Sequence, residues 1–162
     1  MGDQTVYSTW HSIWGSSITS ETDLNLKAYD TKWKLVTNVL TETPSFRRVG
    51  IDFPKEGIEP KERYSYVLEY DFPRQFGNLK DGWYEFSVDS MTSNLEIEIK
   101  LPKNAILEGI PICYILKDGT KFPMEELQPK RKGNHFLIKF KTKKVAANQV
   151  FRIEFKAKSS KF

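Results

Sequence analysis

Apolar and polar residues alternate with period 2 along three runs between Tyr64 and Leu101, the pattern of strands with one buried face. Tyr64, Tyr66, Leu68, Tyr70 and Phe72 oppose Ser65, Glu69 and Asp71. Next, Tyr84, Phe86 and Val88 oppose Glu85, Ser87 and Asp89. In the third run Leu95, Ile97, Ile99 and Leu101 oppose Glu96, Glu98 and Lys100. These runs predict the central strands of an antiparallel sheet.

The flanking segments extend the pattern. Strands are expected near Leu24–Ala28, Lys32–Leu40 and Arg47–Phe53, the last closed by Pro54. Trp33, Leu35 and Val39 share one face of the second with Thr37. Ile110–Leu116 is apolar at consecutive positions, which predicts a central strand covered on both faces. Lys117–Thr120 reads as a tight turn. Two last strands are expected, with Phe136, Ile138 and Phe140 inward in one and Phe151, Ile153 and Phe155 inward in the other. Thr142–Asn148 could join them as a hairpin. Only residues near 7–14 and 123–128 carry a claim to helix. Tyr7, Trp10 and Trp14 fall at helical spacing, although the Ser and Gly around them oppose a stable helix.

Together these elements predict an all-β fold, an antiparallel β-sandwich of about eight to ten strands, immunoglobulin-like or jelly-roll-like, with little helix. Residues 1–23 read as an N-terminal aromatic arm and 24–162 as one sandwich domain. A chain of 162 residues can bury a core without staples, and its 14% aromatic content suits the space between two packed sheets. It lacks the cysteine pair of true immunoglobulin domains, so the likeness is architectural and carries no function.

Composition narrows the chemistry. The one cysteine, Cys113, sits among apolar neighbours, which excludes an intrachain disulfide and predicts an inert buried thiol. There is no membrane-length apolar run, and a cytoplasmic setting is the default expectation. Of the two histidines, His11 lies in a Ser-rich stretch and His135 beside a Gly-Asn turn; both are expected at the surface or in turns. Glu96 and Glu98 share a strand face at a carboxylate-pair separation, but Lys100 continues that face, as on any solvated strand. No Gly-x-Ser-x-Gly elbow, phosphate loop or metal-ligand spacing occurs. The expectation is no catalytic residue, no cofactor and no metal.

Charge is uneven. Residues 129–162 carry 11 Lys or Arg against one acid, while residues 1–128 carry 14 basic and 20 acidic side chains. Lys139, Lys141, Lys143, Lys144, Arg152 and Lys156 would form one cationic face if the last two strands paired, a candidate for nucleic acid or an anionic lipid surface. The competing reading is internal neutralisation by the acidic faces of neighbouring strands. For a protein partner or self-association, the candidate contacts are Trp10 and Trp14 in the arm, with Arg74, Phe76 and Asn78 in the long loop before Gly82. The sequence therefore reads first as a non-catalytic interaction module, then as a binder of an anionic polymer, and third as a carbohydrate-binding domain.

Overall fold

Phe151, Ile153 and Phe155 alternate with Arg152 and Glu154, and in the folded chain the three apolar side chains are buried. Tyr84, Phe86 and Val88 do the same on the neighbouring strand. This is how the inner face of the larger sheet is made. The computed structural model describes residues 4–15, 25–32, 34–43, 46–54, 56–71, 82–103 and 105–159. Among them there is no helix and there are twelve strands. In chain order they are β1 (Ser8–Gly15), β2 (Lys27–Tyr29), β3 (Lys34–Thr43), β4 (Phe46–Asp52), β5 (Val67–Glu69) and β6 (Gly82–Val88). Then follow β7 (Thr92–Lys100), β8 (Ala105–Lys117), β9 (Thr120–Glu126), β10 (Lys130–Lys132), β11 (His135–Val145) and β12 (Val150–Ser159).

All pairings are antiparallel. The strands form a nine-stranded sheet, ordered β5-β2-β3-β4-β1-β6-β12-β8-β9, and a three-stranded sheet, β10-β11-β7. The small sheet contributes Ile97, Ile138 and Phe140 to a core shared with Ile13, Val49, Phe86, Cys113, Phe151 and Ile153 of the large one. The rings of Phe140 and Phe151 meet across it at 5.3 Å. A smaller cluster of Ala28, Leu35 and Ile51 lies under Tyr64, Tyr66 and Leu68. The β-sandwich expectation is met. At the β8–β9 turn, Asp118 and Gly119 both have positive φ (50° and 76°), the primed two-residue geometry that suits the twist of a hairpin. β9 ends the large sheet, has every residue exposed, and carries Pro123 in its middle.

Several local expectations are corrected. The aromatic stretch at the N-terminus is neither a short helix nor a docked arm: Ser8–Gly15 is an interior strand between β4 and β6. Its alternation is inverted in character, with Thr9, His11 and Ile13 buried and Trp10 and Trp14 on the other face. Residues 64–71, the described part of the Tyr64–Phe72 run, do not form a central strand. Only Val67–Glu69 pairs, at the outer edge, because Tyr64 and Tyr66 fold over the sheet instead. Ile110–Leu116 is not covered on both faces; it is the second strand from an edge, and Ile110 is exposed. Residues 123–128, read as helical or irregular, lie largely in β9, and 130–132 form β10. Trp33 and the loop residues Arg74, Phe76 and Asn78 lie outside the described residues.

The largest correction concerns the C-terminus. β11 and β12 do not pair. They occupy different sheets, with their apolar stripes facing each other across the core.

Phe140 is 1% exposed at the contact between sheets, whereas Phe122 is 50% exposed on β9. Phe140→Ala is therefore expected to cost about 3–5 kcal/mol and Phe122→Ala less than about 0.5 kcal/mol, read from urea denaturation midpoints.

Candidate functional site

Because side chains alternate on a strand, burying Thr9, His11 and Ile13 commits Trp10, Ser12 and Trp14 to the outer face of the large sheet. The register carries that face across five strands. Phe46 pairs with Trp14, Trp14 with Glu85, Glu85 with Arg152, and Arg152 with Tyr114. Directly opposite residues share a face, so these five form one continuous row.

The row is fixed by specific contacts. Trp14 stacks on Phe46 with centroids 4.8 Å apart and planes 22° apart. Arg152 Nη1 donates to Glu85 Oε1 at 3.1 Å, and Arg152 Nε lies 3.0 Å from Glu154 Oε1 as an ion pair without hydrogen-bond geometry. Lys121 Nζ closes the network on Glu154 at 2.6 Å. Cations also lie over aromatic rings: Arg152 over Trp83 at 4.5 Å, Lys121 over Tyr114 at 4.8 Å, and Arg48 over Trp10 at 5.1 Å. Each such pair contributes on the order of 0.5–1 kcal/mol and restricts both side chains. Glu85 is the most enclosed member of the ion network at 13% side-chain exposure. Burial holds its carboxyl above the usual carboxylate range, against the pull of Arg152. At Gly50 a Cβ would lie 3.0 Å from the Trp10 ring, a contact tight enough that the ring would have to shift.

Beneath this face the interior holds a polar chain. His11, expected at the surface, is 3% exposed. Its Nε2 is 2.7 Å from Tyr66 Oη, and its ring lies between Tyr66 and Phe86 at 5.6 and 5.2 Å. Tyr66 is hydrogen-bonded to Thr9, whose hydroxyl donates to Asp89 Oδ1 at 2.7 Å. His11 Nδ1 is buried and has no hydrogen-bond partner. Desolvation pushes the imidazole pKa down to about 4, with Asp89 opposing weakly, so the ring is neutral at pH 7.

The predicted site residues divide in two. Trp10, Trp14 and Arg152 come together on the outer face just described. Lys139 and Lys141 lie on the small sheet, paired with acids on β7: Lys139 with Glu98 at 2.7 Å and Lys141 with Glu96 at 2.8 Å. Lys143 faces Asn94 across the same strand pair, and Lys144 follows in a left-handed backbone conformation, φ 56°. Lys156 is exposed on β12 and pairs in register with Glu108. The single cationic face expected from these residues does not form, because its two strands lie in opposite sheets. His135 is half-buried, with Nδ1 2.9 Å from the Leu101 carbonyl. Cys113 is buried, and burial pushes its thiol up to about 12.

A shallow, open cleft of about 340 Å³ is lined by Glu125, Glu126, Leu127, Gln128, Lys130, Lys139 and Lys141. Neither histidine lines it. Among the described residues, no three His, Cys, Asp or Glu side chains are grouped to hold a metal ion, and no helix is long and apolar enough to cross a membrane.

Phe46, Arg48, Trp83, Glu85 and Tyr114 were not among the residues singled out from sequence. The signal existed for Trp83 and Glu85: the alternation that buries Tyr84 and Phe86 turns both outward. For Phe46 and Tyr114 none did, since only strand order makes them neighbours of Trp14 and Arg152. Comparison with protein-family models, curated proteins and solved structures finds no match to this chain.

A folded pKa below the unfolded value means the unfolded chain takes up the proton first as pH falls. The His11 contribution is thus intact above about 6.5 and is lost as the pH falls toward about 4. Within that window the stability difference between wild type and His11→Gln is expected to change by up to about 1.4 kcal/mol per pH unit. Denaturant midpoints across the range check it; parallel profiles for the two proteins would contradict the assignment.

Proposed function

We propose that this chain is a non-catalytic β-sandwich module that binds another protein through the outer face of its nine-stranded sheet. The observation that carries this reading is the Phe46–Trp14–Glu85–Arg152–Tyr114 row with Trp83 beside it. Trp, Tyr and Arg are the side chains that dominate protein–protein binding energy, most of all when they are held in place before contact. Here stacking and ion pairing hold them. A partner meeting the face would recover apolar area from the rings, and it would find Glu85, Arg152, Glu154 and Lys121 already paired with one another as ions.

The same contacts weigh against the carbohydrate alternative. A sugar stacks on a free aromatic face, whereas cations lie over Trp10, Trp83 and Tyr114 and Trp14 is stacked on Phe46. The anionic-polymer alternative, as first drawn from Lys139 through Lys156, loses its footing because those residues are divided between sheets and Lys139, Lys141 and Arg152 are paired with acids.

The test is site-specific photocrosslinking in the source cells. A photoreactive residue at Ser12, in the middle of the face, is expected to give a discrete protein adduct, and the same residue at Lys141 on the other sheet is not. Trp83→Ala is expected to cost about 2 kcal/mol of binding, roughly thirty-fold in Kd, and to abolish the adduct while the denaturation curve stays two-state. Sedimentation equilibrium of the purified chain separates self-association from a different partner. No adduct at Ser12, or one indifferent to Trp83→Ala, would defeat the proposal.

A further inference from the structure

Once Lys139, Lys141, Arg152, Lys121 and Lys158 are matched to acids, the unmatched cations of the small sheet stand at its two ends, Lys143 and Lys144 at one and a larger group at the other. Residues 99–103 and 127–135 hold Lys100, Lys103, Lys130, Arg131 and Lys132 and no acid; the nearest carboxylates in the fold are those of Glu125 and Glu126, which share the cleft lined by Lys130. Among the described residues, none of these five makes an ion pair. The register puts three of them on one face: Lys130 and Lys100 flank Leu137 from the two outer strands, and Lys132 pairs with His135 two residues along β10, while Arg131 alternates to the other face and Lys103 follows the end of β7.

The end of the sheet is tied down. Leu101 N–H donates to the Phe136 carbonyl at 2.9 Å, and His135 Nδ1 lies 2.9 Å from the Leu101 carbonyl. Arg131 is positioned by its Nε–H donating to the Gly133 carbonyl at 3.3 Å and by the Phe136 ring at 6.0 Å.

We infer that this cationic end of the three-stranded sheet binds the phosphate backbone of a nucleic acid. Lys100 and Lys130 stand two strand spacings apart, about 10 Å, and Lys130 and Lys132 about 7 Å apart along β10. That spread suits successive phosphates on a chain better than one phosphate in a pocket. A membrane surface fits less well, because stable attachment needs an apolar signal beside the basic one. The exposed large apolar side chains nearest in sequence, Phe122, Met124, Ile106 and Ile110, belong to the β8–β9 hairpin, and none lies in the two basic segments. No ring among these residues stands exposed for base stacking. Binding is therefore independent of sequence and weak, with Kd on the order of 10⁻⁴–10⁻⁶ M at physiological salt.

The experiment is fluorescence anisotropy of a labelled oligothymidylate titrated with the full chain at about 50 and 200 mM salt. Three to five phosphate contacts at about 0.7 per phosphate predict a log–log slope of about −2 to −3.5, a loss of roughly ten- to hundred-fold between those salts. Lys130→Glu with Lys132→Glu is expected to abolish binding, as is Lys100→Glu with Lys103→Glu. Lys139→Gln with Lys141→Gln, whose charges are already matched, is expected to weaken it no more than about three-fold. All variants change exposed side chains, so unaltered denaturation midpoints serve as the folding control. Four results would each overturn the inference: no binding at the lower salt, equal loss in all three pairs, equal competition by polyglutamate, or binding to phosphatidylserine-containing vesicles but not to the oligonucleotide.

Discussion

Phe140 and Phe151 meet ring to ring across the core, and that contact decides where the charges of the C-terminal third end up. Joined as a hairpin, β11 and β12 would lie side by side and add their polar faces. Packed face to face, they bury Ile138 and Phe140 against Phe151 and Ile153 and turn their polar faces to opposite sides of the molecule. The energetic reason is simple. Two strands each carrying three large apolar residues on one face remove far more apolar area from water by facing each other than by lying in one sheet. The cations follow as passengers: Arg152 goes to the outer face of the large sheet, Lys139 and Lys141 to that of the small one.

On each side the charges near the middle of the strands are then matched locally. Glu98 and Glu96 stand opposite Lys139 and Lys141 in register on β7, and Glu85 stands opposite Arg152 on β6. The first set is well exposed and adds little to stability. The second is more enclosed and holds its aromatic neighbours in place, so its value lies in fixing a surface. The polar chain from His11 through Tyr66 and Thr9 to Asp89 plays a comparable part inside, tying the Tyr64–Tyr66 segment down over β1.

Wherever the alternation was apolar inward and charged outward, as in β6, β7, β11 and β12, the strands were readable from the residues alone. β1 was not, because its inward positions include Thr9 and His11 and its outward ones include two tryptophans. Hydrophobicity points the wrong way there, and only the polar chain to Tyr66 and Asp89 makes Thr9 and His11 acceptable in a core. The Tyr64–Phe72 run erred in the other direction: good alternation, yet only three of its described residues pair, since the tyrosines are used as a cover. Of the surface proposed for partners, Trp10, Trp14 and Arg152 were legible one by one. Their adjacency was not, because strand order depends on crossovers that leave no periodic trace.

The position of Pro123 limits how any partner can approach. A sheet of nine strands would ordinarily invite another chain to extend it by hydrogen bonding along its rim. Proline has no N–H to offer, Lys121, Glu125 and Glu126 place charge along the same rim, and at the opposite end β5 is only three residues long. The large sheet is thus blunted at both ends against lateral growth. Recognition is directed onto its broad side, and assemblies of this chain would be stacked or capped structures rather than fibrils continuous in their hydrogen bonding.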